Sequence, residues 1–173
     1  MGSQGHHLIA ADLSVSSPEL GTRPITVGQI AEHLRSIAPD VPASTERLRY
    51  WTKEGLLSPI KQKLHGGTGT HRKYEVSCIF DAAALTIIAA SGLQIARGCL
   101  VDALSQARLA LQNWRGGALF LEISYATNAI PKINIHEGEV RSNPAARISI
   151  NLNLVQILSD ARLQVTRRNA EES

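Results

Sequence analysis

A chain of 173 residues, 43% of them apolar and 19% charged, can bury one good core or two small ones. No stretch approaches the roughly 18 consecutive apolar residues of a membrane span, and the opening Met1–Gly21 lacks a basic region leading into a long apolar one. A membrane protein is thereby disfavoured, and a cytoplasmic protein is expected. The net charge of +3 is unevenly placed: residues 1–21 hold two acids and no base, 22–75 nine bases against five acids, and 76–173 nine bases against eight acids. A basic segment on an otherwise near-neutral chain is the footprint expected where a protein meets phosphate.

Residues 1–23, polar and rich in small side chains, read as a disordered lead-in. Thr26-Val27-Gly28-Gln29 has the form of a capping box, in which Thr26 accepts from an early amide and Gln29 reaches back. Val27, Ile30, Ala31 and Leu34 then mark one face of a first helix. The stretch Ala38-Pro39-Asp40-Val41-Pro42 cannot continue it, because each proline lacks an amide hydrogen and restricts its predecessor. Ser44 is a good N-cap for a second helix whose buried side is Leu48 and Trp51, ending near Gly55 in a left-handed cap.

After Leu56-Leu57-Ser58-Pro59 the pattern predicts a hairpin: a strand over 60–65, a glycine-rich tip over 66–70 and a returning strand over 71–74. Its arms are basic. A third helix is expected over about 76–90, broken by Ser91-Gly92, and a fourth over about 94–114. Cys78 and Cys99 lie inside these helical patterns, without the paired spacing of a zinc or redox site, and read as core thiols. His65 and His71 flank the tip without carboxylate or thiolate partners, so no metal and no cofactor is expected.

Beyond Gly116-Gly117 the apolar period changes from 3.6 to 2. Leu119, Leu121, Ile123 and Tyr125 alternate, as do Ile133 and Ile135, and Ile148, Ile150 and Leu152; a helix follows over about 155–162. The expected architecture is mainly α with β, in four parts: the lead-in 1–23, a helical and hairpin domain over 24–115, a small β-β-β-α module over 116–166, and a disordered tail 167–173. Glu122, Tyr125, Asn134, His136, Asn151 and Asn153 are polar positions on the strands that could line a site; solvent-facing strand residues account for them more simply. Glu137 and Glu139 read as solvated carboxylates. With no nucleophile elbow, phosphate-binding glycine loop or metal-ligand cluster, an enzyme is not expected.

Two helices joined by a turn, then a basic glycine-tipped hairpin, then a helical pair, is the order of a winged helix-turn-helix. A major groove admits a helix, and its N-terminal side chains face base edges. On the second helix Ser44, Thr45, Glu46, Arg47 and Arg49 are the candidates. On the hairpin Lys61, Lys63, His65, His71, Arg72 and Lys73 are placed to neutralise phosphates.

The residues Leu48-Arg49-Tyr50-Trp51-Thr52-Lys53-Glu54-Gly55-Leu56-Leu57-Ser58-Pro59 closely resemble the signature LRYYxxxGLLxP of the MerR family of transcriptional regulators. Arg72-Lys73-Tyr74 resembles the RxY that closes that family's wing, and Gly92-Leu93-Gln94-Ile95 its GFSL entry to the next helix. The likeness covers residues 25 to about 104. It implies a homodimeric regulator on double-stranded operator DNA, with Arg49 and Tyr50 holding the backbone, Arg72 and Tyr74 serving the wing and counted with them among the DNA-binding residues, and Ser44 to Arg47 facing the groove. Read from the residues alone, Trp51 is a core anchor, Tyr50 could be core too, and Arg49 could pair with Glu46 or Glu54.

The chain also departs from that family. The turn between the first two helices is longer by roughly seven residues, Cys78 stands where an acidic residue is common, and strands replace the long dimerisation helix. The family's cysteine sets for metal and redox sensing are absent. Excisionase-like or architectural accessory proteins share the winged fold and form the alternative. The C-terminal module over 116–166 could serve dimerisation, and a third possibility makes it a sensor for a small-molecule or protein effector.

Overall fold

In the computed structural model, residues 23–37, 44–60, 72–125, 131–139 and 148–160 are described. They form a mixed α/β structure of helices and two small antiparallel sheets. In chain order the elements are β1 (Ile25–Thr26), α1 (Val27–Ile37), α2 (Thr45–Lys53), β2 (Lys73–Tyr74), α3 (Cys78–Ala90), α4 (Arg97–Asn113), β3 (Leu119–Tyr125), β4 (Lys132–Glu137) and β5 (Ile148–Asn153). Residues 154–160 are helical and are called α5.

The capping box ahead of α1 closes on both sides. The Thr26 amide donates to Gln29 Oε1 at 2.8 Å and the Gln29 amide to Thr26 Oγ1 at 3.4 Å, so two helix-end donors are satisfied reciprocally. Ile30, Ala31 and Leu34 turn inward and are buried. The same Thr26 ends a strand that the sequence pattern does not announce: Ile25 and Thr26 pair with Tyr74 and Lys73. The arm read as the hairpin's returning strand therefore pairs with the entry to α1. It also meets the outgoing arm, since the Ile60 amide donates to the Lys73 carbonyl at 2.8 Å. The hairpin's remainder, 61–71, lies outside the described residues.

α3 begins two residues later than expected because its entry is tightened by i→i+3 bonds: Cys78, Ile79 and Phe80 donate to the carbonyls of Glu75, Val76 and Ser77. It is buried almost all round, from Cys78 through Thr86 and at Ile88, because it packs on α1 on one side and β5 on another. Gly92, at φ 73°, turns the chain after it. α4 then starts at Arg97 and not near 94, after an extended Ala96 that supplies no side-chain cap. A bidentate ion pair ties the two helices together: Arg108 Nε donates to Asp81 Oδ1 at 2.8 Å and Nη2 to Oδ2 at 2.5 Å.

The C-terminal sheet has the order β4-β3-β5, with β3 central. Register puts Leu121 opposite Ile135 and Leu152, and Ile123 opposite Ile133 and Ile150, so one face is apolar. That face packs on α3 and α4. Asn153 caps α5 by accepting from the Gln156 amide at 3.1 Å. Buried apolar side chains from Ile25 to Ile157 form one cluster, so the strand module shares a core with the helices that precede it. Among the described residues no helix is long and apolar enough to cross a membrane.

Candidate nucleic-acid interface

Local sequence decides which side of α2 is wet. Leu48, Trp51 and Thr52, at i, i+3 and i+4, form its buried side, so Trp51 is the core anchor its spacing predicts. The opposite side must then carry Arg49 and Tyr50; Arg49 is exposed and Tyr50 is 58% exposed, which removes the core reading of Tyr50. Thr45 and Arg47 are half-buried on the first turn and Lys53 is exposed on the last. Ser44 is the N-cap, its Oγ accepting from the Arg47 amide at 3.1 Å. That contact occupies the hydroxyl in holding the helix end.

The far end is closed by a Schellman motif. The Leu56 amide donates to the Trp51 carbonyl at 2.8 Å and the Gly55 amide to Thr52 at 3.1 Å, with Gly55 at φ 71° as expected. Leu56 and Leu57 are both buried, so the chain leaving α2 is anchored in the core.

β2 is held against α2 by one buried contact. The hydroxyls of Thr52 and Tyr74 lie 2.8 Å apart, and Thr52 donates to the Leu48 carbonyl at 2.8 Å. A threonine has one hydroxyl proton, so Tyr74 is the donor in the pair. Tyr74 is 1% exposed, which corrects its expected place among residues that touch a nucleic acid. Pairing with Ile25 turns its ring inward, and alternation along the strand sends Lys73 outward. Arg72 and Lys73 are both exposed beside it. Thr52 was not legible as a site residue; its only sequence signal is a hydroxyl on the apolar side of a helix, which must find a partner.

Arg49 and Lys53 of α2 and Arg72 and Lys73 at β2 are thus exposed on two elements latched to one another, and among the described residues none of them is ion-paired. Arg49 pairs with neither Glu46 nor Glu54. Lys61, Lys63, His65 and His71 lie outside the described residues. Unpaired, exposed cations on two joined elements, with an exposed tyrosine next to Arg49, are suited to binding a polyanion.

Cys78 is buried and Cys99 half-buried, both as free thiols. Burial, with help from Asp81, pushes the Cys78 thiol up to about 12, so it is inert as a nucleophile at neutral pH. Burial likewise raises the Asp81 carboxyl, and the Arg108 fork opposes that rise. Among the described residues no group of three His, Cys, Asp or Glu side chains is placed to hold a metal ion. In comparisons with known proteins, no protein-family model matches the chain and no curated protein matches its sequence.

Proposed function

We propose that this protein is a sequence-specific, DNA-binding transcriptional regulator whose N-terminal half is a winged helix-turn-helix resembling that of the MerR family. In this reading α1 and α2 are the helix pair, α2 enters the major groove, and β2 belongs to the wing. The observation that carries it is the unpaired basic surface of Arg49, Lys53, Arg72 and Lys73 on two elements joined by the Thr52–Tyr74 contact. No catalytic role is proposed.

Within this reading the roles divide by geometry. Arg47 and Thr45, on the first turn of α2, are the side chains nearest base edges. Arg49 and Tyr50 take the phosphate backbone, and Arg72 and Lys73, with Lys61, Lys63 and His71 of the hairpin, take the flanking phosphates. The protein binds as a homodimer, because one short recognition helix reads few bases. Two apolar side chains on α4, Val101 at 37% and Leu109 at 60% exposure, lie about two turns apart on its outer side and support a subunit contact there.

Fluorescence anisotropy of labelled duplex DNA over a salt series tests the phosphate part directly. The account expects log affinity to fall linearly with log salt, at about −0.9 for each phosphate neutralised. Salt-independent affinity, or none at low salt, removes the proposal.

A further inference from the structure

The second face of the C-terminal sheet is polar, and yet its centre is buried. Register sets Phe120, Glu122 and Ser124 of β3 beside His136, Asn134 and Lys132 of β4, and beside Asn153, Asn151 and Ser149 of β5. Polar strand residues of this kind are expected to face water. Asn134 does, but Glu122 is 4% exposed and Ser124 is 2% exposed, so that expectation fails at the centre of the face.

The polar atoms there are mostly unmet. Glu122 Oε2 accepts from Asn134 Nδ2 at 3.3 Å. Glu122 Oε1, Ser124 Oγ, Asn151 Oδ1 and both ring nitrogens of His136 are buried without a hydrogen-bond partner. Buried polar groups in folded proteins are paired almost without exception, and the orphaned acceptors Glu122 Oε1, Ser124 Oγ and Asn151 Oδ1 on the paired strands β3 and β5 call for a ligand that completes them. Paired across the strands, Glu122 and Asn151 have Cβ atoms about 5 Å apart, and Ser124 is about 6.6 Å further along the same face.

We propose that this face binds the primary ammonium group of a small organic amine. Glu122 Oε1, Asn151 Oδ1 and Ser124 Oγ are three acceptors, and an alkylammonium carries three donors and one positive charge to match the carboxylate. The Glu122 charge turns away anions. One step along the strand Phe120 and His136 are stacked, with ring centroids 5.7 Å apart, and provide an aromatic wall for the amine's carbon chain. The inference does not depend on the DNA-binding reading, since amine binding is measured without DNA.

The competing occupant is internal: Lys132 lies directly opposite Ser124 on the same face and is exposed, and its own ammonium group could swing in. Titration of the full chain with putrescine, followed by calorimetry and by backbone amide shifts, separates the two. Saturable binding with Kd near 1 mM or tighter is expected, with shifts centred on Glu122, Ser124 and Asn151. Glu122→Gln should weaken it at least about tenfold, the loss of one ionic hydrogen bond. Asn151→Asp, which adds a second carboxylate at a half-buried edge position, should tighten it, a gain that a merely structural role would not give. The proposal is overturned if putrescine does not saturate. It is overturned equally if Asn151→Asp fails to tighten binding, or if Lys132→Ala destabilises the fold as much as Glu122→Gln with no further loss in the double variant.

Discussion

The contact between Thr52 and Tyr74 makes an asymmetric prediction. Thr52 gives its proton to the Leu48 carbonyl at 2.8 Å, so the Tyr74 hydroxyl is the donor across the 2.8 Å to Thr52. Tyr74→Phe removes that donor and leaves only an unused lone pair on Thr52, a loss of about 1 kcal/mol. Thr52→Val instead leaves the hydroxyl of a tyrosine that is 1% exposed with no acceptor. An unsatisfied buried donor costs about 1–3 kcal/mol, so this single change should be the worse of the two. Replacing both removes donor and acceptor together, and the double variant should be less destabilised than the sum of the singles by about 1 kcal/mol. Urea unfolding of the four proteins at unchanged m-value reads these differences, and each kcal/mol should move the melting temperature by about 2–4 °C for a chain of this size. The reasoning is refuted if Thr52→Val costs no more than Tyr74→Phe, or if the two changes add to within a few tenths of a kcal/mol.

Other perturbations have expected outcomes of their own. Arg49→Ala, at an exposed position, should weaken binding to all duplexes alike and reduce the salt slope by about one while leaving the melting temperature unchanged; sequence-dependent loss would place Arg49 on a base. Removing the N-cap hydroxyl with Ser44→Ala should destabilise the fold by about 1 kcal/mol in urea titration, since the Arg47 amide loses its partner. Gly55→Ala forces a side chain into φ 71° and sets its Cβ 3.0 Å from Arg97 Nη2, so a loss of about 1 kcal/mol or more is expected by the same assay. Cys78 carries a pH dependence: its thiol sits at about 12 in the folded chain against 9.0 for an ordinary one, so the native state keeps a proton that the unfolded state releases. Its contribution is complete below pH 9 and declines from there to about 12, by up to about 1.4 kcal/mol per pH unit. Cys78→Ala should flatten that alkaline slope in urea midpoints; an unchanged slope would place its cause elsewhere.

Local signals of the sequence were legible where one residue type has one physical use. The Thr26–Gln29 box, the Ser44 cap, the left-handed Gly55 and the inward Leu48 and Trp51 follow from rules that need no tertiary context. The short β1 strand was not legible, because two residues hold no period and their strand character comes from β2 nearly fifty positions away. Tyr74 was misplaced for the same reason: whether a strand tyrosine faces out or in depends on which neighbour it pairs with. Glu122 was misread because alternation shows that it lies opposite the apolar face of β3 but not that the centre of its own face is buried. The partnership of Asp81 with Arg108 joins residues 27 positions apart on successive helices, a distance at which sequence spacing has no say.

Selection of bound duplexes from a random pool, followed by affinity of the selected sequence and of a scrambled control at fixed salt, tests DNA-binding specificity most directly. A near-palindrome bound about 10³-fold more tightly than the control is the predicted result for a dimeric, sequence-specific regulator. Equal affinity for the two duplexes would favour an architectural accessory protein, and binding to neither would contradict the account of the α2 and β2 surface altogether.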